Sequence, residues 1–79
     1  MKICEVQWID AAGPADESTF TLEEAAGVKI LPMKDVGYLI SEDERQIVIA
    51  SQISEVGGCR RIIAIPKSGI VKKRVLAYV

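Results

Sequence analysis

Two apolar runs meet at a proline in Ile62-Ile63-Ala64-Ile65-Pro66-Lys67-Ser68-Gly69-Ile70-Val71. Proline cannot donate to a sheet ladder, and the three residues after it suffice only for one tight turn before the chain resumes. The segment therefore reads as a strand, a sharp corner and the start of a last strand. In a small closed barrel such a corner carries the chain from one side of the wall to the other, with the flanking apolar residues anchored in the core.

Working outward, residues 46–51 read as a strand, and Gly57-Gly58 supplies the positive φ angles of a tight hairpin before the strand at 60–66. Upstream, residues 34–41 place Val36, Tyr38 and Ile40 on one parity, and Pro32 separates them from a short apolar stretch at 28–31. Residues 2–10 alternate, with Cys4, Val6 and Trp8 pointing one way. Gly13 and Pro14 mark residues 11–18 as a long loop. Thr21 and Glu24 have the spacing of a capping box, which predicts a helical turn over 22–26 that Gly27 ends. With residues 70–79 as the final strand, the sequence predicts one all-β domain over residues 1–79. It has five mostly antiparallel strands in a small barrel, with one short helical turn in the first loop.

Composition narrows the function classes. The chain has 79 residues, is 49% apolar and 27% charged, and carries a net charge of −1, so it has no overall attraction to nucleic acid or an anionic membrane. It has no histidine, the commonest general base near neutral pH and the commonest metal ligand. Cys4 and Cys59 are far apart and form no Cys-x-x-Cys pair, so neither a metal site nor a disulfide framework is expected, and no cofactor. No apolar run is long enough to cross a bilayer, which predicts a cytoplasmic protein with reduced thiols.

Ile65 to Val71 resembles the corner before the last strand of Src-homology-3-like barrels. Taken with Val6-Gln7-Trp8-Ile9-Asp10, Val36-Gly37-Tyr38-Leu39-Ile40 and Ile47-Val48-Ile49-Ala50, the chain is similar to a group of small tailed-bacteriophage proteins. The resemblance implies a phage origin, a location in the host cytoplasm and a small barrel of the Src-homology-3-like or Sm-like kind. The Sm RNA-contact motifs Asp-x-x-Met-Asn and Arg-Gly are absent, so no binding residues carry over.

Charge is divided along the chain. Residues 1–44 hold three basic and ten acidic side chains, a net of −7, and residues 45–79 hold seven basic and one acidic, a net of +6. Arg60 and Arg61 are candidates to clamp a phosphate, with Lys67 beyond the same strand and Tyr38 as a stacking surface. Lys72, Lys73 and Arg74 are consecutive and must alternate between faces, as charges guarding a sheet edge do. Residues 47–50 and 62–65 are apolar on both parities, so one apolar side of the wall asks for a cover, either the early loop with its helical turn or a second copy of the chain. Val48, Ala50, Ile63 and Ile65 are the expected contacts between copies. These features predict a non-catalytic homo-oligomer that binds an anionic ligand, nucleotide or RNA. The rival expectation is an interaction or structural protein that binds a host or virion protein through its apolar surface.

Overall fold

Cys4, Val6 and Trp8 are buried along one side of the first strand, as their alternation predicts. The computed structural model describes residues 1–14 and 17–79; the expected loop at 11–18 therefore lies partly outside the described residues. Its elements in chain order are β1 (Lys2–Asp10), α1 (Leu22–Ala26), β2 (Leu31–Glu42), β3 (Gln46–Ile53), β4 (Cys59–Pro66), a 3-10 turn (Lys67–Gly69) and β5 (Ile70–Tyr78). The five strands form one antiparallel sheet in the order β4-β3-β2-β1-β5.

The sheet is not closed. β4 and β5 lie at opposite edges, so the barrel of Src-homology-3-like or Sm-like kind expected from the sequence does not form. The edges supply the reason. Pro66 has no N–H to offer, Arg61 interrupts β4 with a left-handed φ of 56°, and the ladder of β5 on β1 shifts register at Ile3/Cys4 and Gln7/Trp8. With Lys72, Lys73 and Arg74 also on β5, neither edge presents an unbroken ladder to the other. Ion pairs span part of the gap instead. Glu42, at the end of β2, receives Lys67 Nζ at 2.7 Å and Lys73 Nζ at 2.6 Å, which ties β2 to the 3-10 turn and to β5.

Open as it is, the sheet coils. β2 separates β1 from β3, which in a flat sheet would put them roughly 10 Å apart. Yet Val6 and Trp8 share one buried cluster with Ile47, Ile49 and Ile65, flanked by Met33, Leu39, Ile63 and Ile70. Gly37 permits the fold-over, because a Cβ there would lie 2.8 Å from the Ala50 carbonyl oxygen and 3.4 Å from Ile49 Cβ. The Trp8 indole N–H, carried into this core, donates to Asp35 Oδ2 at 2.6 Å.

β2 also runs continuously through Pro32, where the sequence predicts an interruption. Pro32 pairs with Ile9 of β1, and β3 joins β2 only from Tyr38 onward, so the missing N–H breaks no ladder on the far side. The helical turn is capped as predicted: Glu24 N donates to Thr21 Oγ1 at 3.1 Å and Thr21 N to Glu24 Oε1 at 3.3 Å.

Every described residue of 11–30 is exposed, and α1 buries none of its residues. The chain is elongated, with a radius of gyration of 16.1 Å against about 12 Å for a compact domain of its length. Its accessible surface of 6101 Å² compares with about 4,700 Å² for a compact monomer of its mass.

Replacing Gly37 with Ala should overpack the β2–β3 crossing and lower stability by ~1–3 kcal/mol in urea titration, since the obstructing atom is backbone. An unchanged midpoint would show that the crossing is looser than these distances imply.

Candidate functional site

Cross-strand partners share a face, so the register separates an inner face, with the core, from an outer one. One row of the outer face runs Ala77, Ile3, Tyr38, Ala50, Ile62 across all five strands. Val48 and Ala64 pair beside it, and Val36 lies two residues before Tyr38. Ile40, in the register shift between Leu39 and Ser41, is also exposed. No charged side chain interrupts this apolar area over β2, β3 and β4. Two cations border it, Arg60 two positions before Ile62 and Lys34 two before Val36; across β1, where Glu5 pairs with Val36 and Gln7 with Lys34, Arg74 and Lys72 of β5 lie opposite Glu5 and Gln7.

The fold uses up some of this positive charge. Arg74 donates to Glu5 through Nε at 3.2 Å and Nη2 at 3.3 Å, and Gln7 Nε2 donates to Glu5 Oε1 at 3.2 Å. These bonds, that from Arg74 foremost, hold the Glu5 carboxyl below its ordinary value. Glu42, bonded by Lys67 and then by Lys73, is lowered to about 2. Arg60 and Arg61 make no ion pair among the described residues.

The β3–β4 hairpin forms a recess. Its tip turns at Gly57, whose φ of 99° suits glycine, and Ser54 and Gly58 close it with a 2.7 Å N–H to carbonyl bond. Gln52, Ile53, Ser54 and Arg60 line an open cleft of roughly 200 Å³ at the base of the tip. Gln52 stands directly opposite Arg60. Ser54 Oγ accepts from Val56 N at 3.2 Å, which leaves its hydroxyl proton free to donate. Three kinds of donor, amide, hydroxyl and guanidinium, thus converge on a space suited to an anion.

The residues singled out in the sequence are not brought to one place. Arg60 and Arg61 sit together near the start of β4, whereas Lys67 lies beyond its far end, about 20 Å along the strand, against Glu42. Tyr38 is half-buried in the middle of the outer face. Of the expected contacts between copies, Ala50 and Ile65 are fully buried within one chain, and Ile63 packs against the core. Val48 and Ala50 lie on the outer face, but of these only Val48 is partly exposed, and its neighbours Ile62 and Val36, absent from that expectation, are more so. The reason is register. Ile47 pairs with Ile65 and Ala50 with Ile62, so the even residues of β3 share a face with the even residues of β4, not the odd ones. Gln52 and Ser54 carried no signal in the sequence beyond their nearness to the turn.

Both cysteines are free, Cys4 buried and Cys59 partly so. Among the described residues no helix is long and apolar enough to cross a membrane, and no group of His, Cys, Asp or Glu could hold a metal ion. Comparisons with protein-family models, curated proteins and solved structures find no match.

A carboxyl held low in the fold stabilises it above the ordinary carboxylate range and loses that contribution as pH falls toward the folded-state value. The wild-type melting temperature should therefore fall between about pH 4.5 and about pH 2, and Glu42→Gln should flatten part of that slope. Coincident profiles for the two proteins would show that the ion-paired carboxylate does not brace the sheet.

Proposed function

We propose that the chain is a non-catalytic binding module that works as an assembly of copies and takes a phosphate-bearing ligand, nucleotide or RNA, at the base of the β3–β4 hairpin. The observation that carries this reading is the Arg60 guanidinium, in no ion pair among the described residues and set beside the Gln52 amide and the Ser54 hydroxyl in one cleft. A planar guanidinium with neighbouring neutral donors matches a phosphate group better than isolated lysines do. Arg61, next in sequence, adds positive charge. Lys67 is engaged with Glu42 and has no part in the site.

Assembly is supported by the surface that one chain leaves bare, some 1,400 Å² more than a compact monomer of this mass exposes. A phage origin and a place in the host cytoplasm, implied by the sequence resemblance, belong to the same reading. The apolar outer face also favours a second reading, in which the partner is a host or virion protein and the hairpin cleft is incidental.

Binding of labelled single-stranded RNA and of a fluorescent ATP analogue, measured by anisotropy at low and high salt, tests the proposal. Arg60→Ala should weaken binding roughly 10- to 100-fold, the effect of removing a charge-assisted hydrogen-bond donor, while Lys67→Ala leaves it unchanged. Equal loss in both variants would reduce the effect to general charge, and no wild-type binding at low salt would leave the protein-partner reading in its place.

A further inference from the structure

Two exposed surfaces of the chain fit each other. One is the apolar outer face over β2, β3 and β4, where Ile62 is 58% exposed and Val36 is 50% exposed, bordered by Lys34 and Arg60. The other is the arm between β1 and β2. It presents Leu22 at 90% exposure and Ile30 at 62%, with Phe20 and Val28 also open to solvent. Glu17, Glu23 and Glu24 accompany them, against the single cation Lys29. Apolar area is thus available on both surfaces, and their charges are opposite in sign.

Within one chain the arm remains available, since each of its described residues is exposed and α1 buries nothing. Face-to-face packing of two outer walls would also set one cationic border against another. An arm laid on a neighbouring copy brings acid to base instead. The area suffices: the surplus of about 1,400 Å² per chain exceeds the roughly 800 Å² per partner that a specific interface buries.

We propose that two copies exchange arms, residues 17–30 of each lying across the outer face of the other, with Leu22 and Ile30 seated against Val36, Tyr38 and Ile62 and the arm carboxylates facing Lys34 and Arg60. This rests on the reading that the chain works as an assembly, and it names the surface by which copies join. The exchange is reciprocal, so each dimer holds two arm-to-face contacts. The cleft at Gln52, Ser54 and Arg60 adjoins the border that the partner's arm reaches, so assembly and ligand binding meet at Arg60.

The test is native mass by light scattering on the full chain as a function of concentration. The wild type should be a dimer. Leu22→Asp and Ile62→Asp should each raise the dimer dissociation constant roughly 30-fold or more. Leu22 is 90% exposed, so a monomeric Leu22→Asp protein with wild-type circular dichroism cannot be explained by unfolding. Mixing the two variants restores one intact arm-to-face contact, and the mixture should form dimers that neither variant forms alone. Variants that remain as dimeric as the wild type, or a mixture that stays monomeric, would overturn arm exchange and leave assembly by another surface standing. A wild type that is monomeric at every concentration would remove both arm exchange and the assembly reading.

Discussion

The close approach of β2 and β3 at Gly37 is the constraint on which the rest of the molecule depends. With no side chain there, the Ala50 carbonyl comes near enough for the sheet to fold over, and Ile47, Ile49 and Ile65 join Val6 and Trp8 in one core. Five strands laid flat would give this short chain one wetted apolar face and no interior. Coiling makes an interior from a single sheet, but only a small one. The same geometry leaves the outer side of β2, β3 and β4 partly open to solvent, where Val36 and Ile62 are exposed and Tyr38 and Val48 half-buried.

Electrostatics complete what the hydrogen-bond ladder leaves undone. The gap between the edges is spanned by Glu42 with Lys67 and Lys73, and the middle of β5 is fastened to β1 through Arg74 and Glu5. Partly exposed pairs of this kind are individually modest, so they set the position of β5 more than they set stability. Their consequence for function is selective. Cations committed to these contacts are removed from the list of ligand-binding groups, and Arg60 remains beside Gln52 and Ser54 with its charge uncompensated.

Much of the strand layout was legible in the sequence because alternation and turn chemistry are local. Cys4, Val6 and Trp8 mark the inner face of β1, and Thr21 with Glu24 marks the capped helical turn. Closure was not legible, since whether β4 meets β5 depends on the left-handed Arg61 and on register shifts along β5 that no residue type announces. The apolar strands defeated face assignment for a related reason. Residues 62–65 are apolar at every position, so parity alone cannot say which of Ile62 and Ile65 is inside, and only the hairpin register decides it. The candidate anion site was half legible: Arg60 stands out by charge, whereas Gln52 and Ser54 acquire meaning only once β3 is laid beside β4.

A single copy, on this account, is an incomplete object whose outer wall is finished by another. Hydrogen exchange on the native protein at low and high concentration measures that directly, residue by residue. The account predicts that amides of the arm, at 22–26, and of β4, at 62–65, exchange more slowly as concentration rises, while those of the Val6–Trp8 core stay constant. Exchange in the arm and in β4 that is independent of concentration, and fast in the arm throughout, would contradict it.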